Sequence, residues 1–374
     1  MIMKRSRSSI FLIVAAIAAL LLGIGVGVLA HNAIVSSSFT LPALEAPQPS
    51  ANTQAGAQTT PKAEKPKTFV ISMVGDCTLA SSQYNNDFES YINKHGLSWP
   101  FSGTVEYLEN DEFTLANLEC TFSDQSLSSS TLFQFQAPAS YADILKNGSV
   151  EYVTLGNNHT YDFGEKGLTD TKAALDSAGV GWTGPGESKV YTTEHGLKIG
   201  VYCPGWTGLS ESNIVSGIET LRQTGADVII MSVHWGTEGS YTVTTSQEQF
   251  AHIAIDAGAD IVFGTHPHVL QRTETYHNGY IFYSLGNWSF GGNTAPRDRD
   301  TTIAQVTVMQ NTDGTVELQG FSLIPCCLSS MSGVNDYRPK PYEKDSEEYA
   351  RAMSKLDGTF TGPDLNVDYS FLNG

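Results

Sequence analysis

The chain has 374 residues, 40% hydrophobic and 10% aromatic, which is enough for one large globular domain or two smaller ones and too apolar for a disordered protein. Its formal net charge of -18 comes from 39 acidic against 21 basic residues, and six of the basic ones precede position 68. Nucleic-acid binding, which needs cations to meet phosphates, is therefore disfavoured. An acidic face can still take an anionic substrate through a cation held between them.

Residues 1–9 contain Lys4, Arg5 and Arg7 and form the expected cytoplasmic N-terminus. Residues 10–30, IFLIVAAIAALLLGIGVGVLA, carry no charge and are long enough to cross a hydrocarbon core as one helix. The preceding basic cluster predicts a single-pass anchor in the cell membrane with the main domain outside. The rival reading is a signal peptide cleaved after Val28-Leu29-Ala30, which makes the protein secreted. Residues 31–67 are rich in Pro, Ala, Gln, Ser and Thr and cannot bury a core, so they read as a flexible linker.

From 68 to 325 the texture is that of an α/β domain. TFVISMVG, EFTLANLE, VEYVTLG, LKIGVYC, ADVIIMSV and ADIVFG read as strands, and FYSL as a further one. Residues 164–178 and 245–257 read as helices, closed by Gly179 and Gly258. TTIAQVTVMQNTDGTVELQGFSLIP reads as two strands around Asp313-Gly314, which makes the sheet system mixed. Residues 326–374 form a polar C-terminal extension with a short helix near 343–356. The 5 cysteines are an odd number, and Cys326 and Cys327 are adjacent. A Cys77–Cys120 bridge and five buried thiols are both compatible with the sequence.

The polar residues fall at the ends of the strands. Asp76 ends FVISMVG, Glu119 ends FTLANL, Asn158 and His159 follow VEYVTLG, His234 ends DVIIMSV, and His266 and His268 follow DIVFG. Ligands of α/β sheets bind outside the carboxyl ends of strands, so these segments can converge on one crevice. Carboxylate, amide and imidazole suit Zn, Mn or Fe rather than the all-oxygen cage of Ca. Two imidazoles two residues apart on extended backbone, His266 and His268, would project to the same side.

The motifs Gly75-Asp76, Ala116-Asn117-Leu118-Glu119, Gly156-Asn157-Asn158-His159 with Asp162 and Gly164, His234-Trp235-Gly236-x-Glu238, Gly264-x-His266-Pro267-His268-Val269 and Tyr283-Ser284-Leu285-Gly286-Asn287 occur in this order over about 70–290. Together they resemble the CapA family of poly-γ-glutamate capsule synthesis proteins, of the calcineurin-like metallophosphoesterase superfamily. The resemblance implies a sandwich of mixed β-sheets flanked by helices, preceded here by one transmembrane helix. It also implies one or two divalent metal ions. Asn158, His234 and His266 would hold one ion, Asp76 and His268 the other, with Glu119 between them. His159 would stand at the rim as a general acid or transition-state donor, oriented by Asp162, and the protein would be a metal-dependent hydrolase or transferase. Its expected partners are the membrane, an anionic polymer such as poly-γ-glutamate, and membrane synthase or export proteins.

Several positions leave alternatives open. Asp162-x-x-Glu165 also has the form of a capping box. Asn117 is an amide supporting a ligand, a turn residue or itself a ligand; Glu238 supports the ligands, touches the substrate or faces solvent, and Asn287 supports the ligands, touches the substrate or is structural in its loop. Arg272 and the Arg297/Arg299 pair are grips for an anionic substrate or solvated charges. Position 78 is Thr, whereas the superfamily's first motif is usually Asp-x-His. A non-catalytic metal-binding scaffold and a secreted metal-dependent phosphoesterase are the other functional readings.

Overall fold

Strand β1 (Lys67–Thr78) of the computed structural model is buried along nearly its whole length, as an apolar run covered on both faces should be. The structure describes residues 65–365. The expected anchor at 10–30 and nearly all of the linker at 31–67 lie outside them, and among the described residues no helix is long and apolar enough to cross a membrane. After β1 come α1 (Asp87–His95), β2 (Phe113–Leu118), β3 (Thr121–Phe122), β4 (Gln136–Ala137), α2 (Ala142–Asn147), β5 (Tyr152–Thr154), α3 (Gly164–Ala178), β6 (Gly181–Thr183), β7 (Glu187–Thr192), β8 (Lys198–Cys203), α4 (Glu211–Gln223) and β9 (Val228–His234). The chain continues through α5 (Thr245–Ala257), β10 (Ile261–Thr265), β11 (Thr273–Tyr276), β12 (Gly279–Phe282), β13 (Asn287–Phe290), β14 (Asp300–Gln310), β15 (Val316–Cys327), β16 (Lys340–Pro341) and α6 (Glu347–Leu356).

Two mixed sheets result. The first has the order β16-β15-β14-β1-β2-β5-β6, with β13 on the end of β1; the second has the order β11-β12-β10-β9-β8-β7. β1, β2, β5 and β6 run parallel, and β14 to β16 add antiparallel neighbours through the expected hairpin, whose Gly314 has φ 85°. In the second sheet β8, β9, β10 and β12 are parallel, and the antiparallel strands β7 and β11 form its edges.

The sheets meet face to face. Ile71 and Met73 of β1 and Phe113 and Leu115 of β2 share one core with Ile199, Ile230 and Phe263 of the second sheet. The other face of the first sheet, with Val74 and Val153, packs on Ile144 of α2 and on Leu168 and Leu175 of α3. Ile214 and Ile218 of α4 and Ala251 and Ile255 of α5 cover the outer face of the second. Each fully buried aliphatic side chain contributes about 1.5–3 kcal/mol. The sandwich of mixed sheets with flanking helices is as the sequence implies. Thr244 caps α5 in a reciprocal box with Gln247, and Gly179 and Gly258 end α3 and α5 in the left-handed region.

The residues after 325 are continuous with the sheet. β15 runs through Cys326 and Cys327 to pair with β16, and Lys355 of α6 bonds Asp298 and Asp300, at 2.7 Å each. All five cysteines are free thiols, and burial pushes the Cys77 and Cys120 thiols well above their ordinary value.

One close approach positions the site. β13 joins the end of β1 so that Asn287 stands beside Asp76, and the Asp76 N–H donates to the Gly286 carbonyl at 3.0 Å. A Cβ at Gly75 would lie 1.9 Å from that same carbonyl oxygen, so only glycine lets β13 come in. Gly75→Ala should therefore cost about 3 kcal/mol or more of stability, as overpacking against rigid backbone does. Chemical denaturation measures this, and a loss within error of zero would show that the approach is not required.

Candidate metal centre

Asp76 lies near the end of β1, Glu119 follows β2, Asn158 lies in the loop after β5, His234 ends β9, and His266 and His268 follow β10. The sandwich brings these strand ends together at one edge. His234 Nε2 lies 2.9 Å from Asn158 Oδ1, 3.0 Å from His266 Nδ1 and 3.4 Å from Glu119 Oε1. A ring nitrogen makes one hydrogen bond, and three acceptor-bearing groups face this one. Such separations are the ligand-to-ligand edges, about 3.0–3.4 Å, expected around an ion with bonds of about 2.1 Å. His234 Nδ1 meets Thr265 Oγ1 at 2.9 Å, which fixes the ring and leaves Nε2 for the cluster.

Glu119 is fully buried, and its Oε1 has no hydrogen-bond partner. Its other oxygen accepts from the Thr78 hydroxyl at 3.3 Å. The orphaned oxygen and the convergent imidazole and amide groups fit a divalent cation held by Glu119, Asn158, His234 and His266. Asp76, Glu119 and His268 form a second group with metal-ligating spacing, and Glu238 with His266 and His268 forms a third. Asp76 Oδ2 is 3.4 Å from His268 Nδ1 and also accepts the His266 N–H at 3.1 Å. Asp76 Oδ1 accepts from Asn117 Nδ2 at 2.7 Å, and Asn117 Oδ1 in turn accepts from Asn157 at 3.1 Å. Asn287 Oδ1 meets His268 Nδ1 at 2.8 Å.

The electrostatics differ among the imidazoles. Burial, reinforced by the charges of His234 and His268, pushes His266 down to about 2, which keeps it neutral. Burial also acts to lower His268, but the Glu119 charge and the Asp76 hydrogen bond overcome it and raise the group to about 10. Glu119 resists burial in the same way: His268 and His234 hold its carboxyl well below the usual carboxylate range. In the metal-free protein His268 thus supplies a positive charge between two buried carboxylates, and a cation held there by Asp76, Glu119 and His268 would take the place of its proton.

His159 Nδ1 bonds Asp162 Oδ2 at 2.7 Å, and its N–H donates to Asn157 Oδ1. Burial opposes its protonation, whereas the Asp162 bond and the Glu119 charge raise its pKa. Asp162 therefore orients His159. The residue before α3 is Phe163, with no side-chain cap, so Asp162 is not the cap of a box. The extended backbone expected for His266 and His268 is corrected: both have positive φ, 98° and 56°. The turn is required because the His266 N–H points at Asp76, and backbone strain of this kind is held by its surroundings. Arg272 stands apart from the cluster, clamped by Glu248 and Glu274 against the Tyr283 ring.

The sequence did not single out Asn157, Thr265 or Trp206. Trp206 is 43% exposed, and its ring stands 4.7 Å from that of His266 and 5.6 Å from that of His234. A Gly-Trp-Thr-Gly loop just after a strand end is the signal that marks it. On the other side, a cleft of about 330 Å³ is lined by His159, His268, Asn287, Phe135, Phe290 and Arg297, among others.

Residues 70–291, more than half of the chain, match the family described as Bacterial capsule synthesis protein PGA_cap. The chain belongs to that family. Among relatives of this chain, the Capsule biosynthesis protein CapA of Bacillus anthracis is 27% identical over 276 residues, covering 65% of this chain and 64% of that one. The PGA biosynthesis protein CapA of Bacillus subtilis (strain 168) is 26% identical over 327 residues, covering 81% and 82%. Among solved structures, the NAD nucleotidase of Haemophilus influenzae is similar at 14% identity with a TM-score of 0.41, covering 79% of this chain and 63% of that one.

The contribution of His268 has a sign that can be checked. Its folded value of about 10 exceeds the ordinary 6.5, so the stability it adds is complete below about pH 6.5 and is lost as pH rises through about 10. Relative to the parent, metal-free His268→Gln should lose several kcal/mol at pH 6, with the difference closing towards pH 10. Denaturant titrations across this range measure it, and a difference independent of pH would contradict the charge assignment.

Proposed function

We propose that this capsule synthesis family member is a metal-dependent cell-envelope protein, tethered to the membrane through residues 10–30. It acts outside the cell in the synthesis, export or attachment of poly-γ-glutamate or a related anionic polymer, alongside membrane synthase or export partners. Family membership supports the polymer. The apolar segment with its basic flank supports the tether. The observation that carries the metal reading is the buried, unpartnered Glu119 Oε1 facing His234 Nε2.

Divalent ions of the Mn, Zn or Fe type, when bound at such a site, polarise a phosphoryl or acyl centre and make a bound water more acidic. The chain's own residues contribute the rest. His159, held by Asp162 at the cleft wall, is placed to give a proton to a leaving group. Asn117 and Asn287 fix Asp76 and His268, and Glu238 stands beside His266 and His268. Trp206 and Phe135 bring apolar walls to two sides of the cluster. These roles suit a hydrolase or transferase.

Thr78 favours a second reading, a metal-binding scaffold without turnover. Its hydroxyl meets Glu119 where the superfamily pattern has an imidazole ligand, so the Asp76–His268 position has one ligand fewer. Mass spectrometry of the purified full-length chain tests the metal reading: His234→Ala should abolish bound metal, and unchanged metal content would overturn it. A panel of aryl phosphate, phosphodiester and γ-glutamyl amide then separates the readings. Turnover of the amide supports the polymer enzyme, metal binding with no turnover supports the scaffold, and efficient hydrolysis of the phosphate esters alone supports a phosphoesterase.

A further inference from the structure

Beside the metal-centre cleft lies a larger one of about 700 Å³, on whose walls stand Arg297, Arg299, Lys340, Arg351 and Lys355. Arg297 and Asp298 line both clefts, so the two are contiguous. Five of the fifteen Lys and Arg residues after position 67 thus border one cavity of a chain whose net charge is -18. They come from three places in the fold: the approach to β14, strand β16 and helix α6.

Five cations stand against four carboxylates, Asp298, Asp300, Glu343 and Glu348, so the cleft is close to balanced in a chain whose net charge is -18. The acids of the floor are turned inward and answered: Asp298 accepts from Lys355 at 2.7 Å and from the Tyr241 hydroxyl at 2.8 Å. Asp300 accepts from Lys355 at 2.7 Å, from Arg351 at 2.6 Å and 2.9 Å, and from the Tyr342 hydroxyl at 2.7 Å. Those two cations offset those two carboxylates. Arg299 is different, because among the described residues its Nη2 donates to the carbonyls of Met331 and Val334, which are neutral, and its buried Nε has no acceptor there. Lys340 is exposed and has no carboxylate partner among the described residues. The acids that remain, Glu343 and Glu348, are exposed and exert a solvent-screened field.

We propose that this cleft binds a polycarboxylate chain and leads it past Arg297 to the metal centre. Cations spread over three elements suit repeated, separated carboxylates better than one compact anion, whose charges would call for donors converging on a point. The chain as a whole is acidic, so a cleft that gathers a third of the Lys and Arg residues after position 67 repels such a polymer less than the protein's net charge implies. The inference rests on the reading that an anionic polymer is handled at the metal centre, but its chemistry does not need the metal.

The test uses the full-length chain treated with chelator and a fluorescent, short γ-linked oligoglutamate, read by anisotropy. Lys340→Glu should weaken binding about threefold or more at low salt, and Glu343→Lys on the same rim should strengthen it by a similar factor; both effects should fade at high salt. Both side chains are exposed, so the fold does not depend on them. Variants that bind like the parent would overturn the cleft, and so would inorganic polyphosphate of matched charge binding equally well. Loss of metal in His234→Ala with oligomer binding kept leaves the cleft standing. Oligomer binding indifferent to both charge changes, with metal content normal, removes the cleft and leaves the metal centre standing.

Discussion

A carboxylate enclosed by protein needs positive charge close by, because stripping it of water costs several kcal/mol that only an opposite charge or several donors recover. Glu119 is the point at which this chain meets that constraint. Thr78 answers one oxygen, the other has no donor, and His234 and His268 approach it from the ends of different strands. Much of the site's geometry can be read as the means of bringing charge to this carboxylate. The protonated His268 serves in the metal-free protein, and the neutral His266 and the Asn158 oxygen leave lone pairs for an ion. A site that held only its own proton would have little use for two imidazole nitrogens 3.0 Å apart.

The fold supplies this constraint from far along the chain. Residues 76, 119, 158, 234 and 266 come from both sheets, and they meet because parallel strands deliver their carboxyl ends to one edge of the sandwich. The join at Gly75 and Gly286 adds Asn287 from β13, a short strand that pairs in parallel with only the end of β1. The cleft beside His268 and the cation-lined cleft beyond it open along the same edge, at the carboxyl end of β1 and its antiparallel neighbours.

Much of this is legible in the sequence. Apolar runs mark β1, β2, β9 and β10, terminal glycines place α3 and α5 at their observed ends, and polar residues just after those runs identify the donors. Other features are not legible, for physical reasons. β7 is half-exposed and polar, so it shows no clean period, whereas α4 does carry helical spacing, at Ile214, Gly217, Ile218 and Leu221. The positive φ of His266 depends on Asp76 receiving its N–H, a contact 190 residues away in sequence. Whether Asp162 caps a helix or holds His159 depends on a rotamer, and spacing is the same for both. The Asp298–Lys355–Asp300 network joins α6 to the sheet, so the polar tail that reads as an extension builds a wall of the larger cleft.

The central claim is that Glu119, Asn158, His234 and His266 surround a cation. Anomalous diffraction from crystals of the protein grown with manganese tests it most directly. The account predicts a peak within about 2.0–2.3 Å of Glu119 Oε1, Asn158 Oδ1 and the facing imidazole nitrogens. A map with no peak among these atoms, or with Glu119 Oε1 satisfied by a donor from the protein itself, would contradict it.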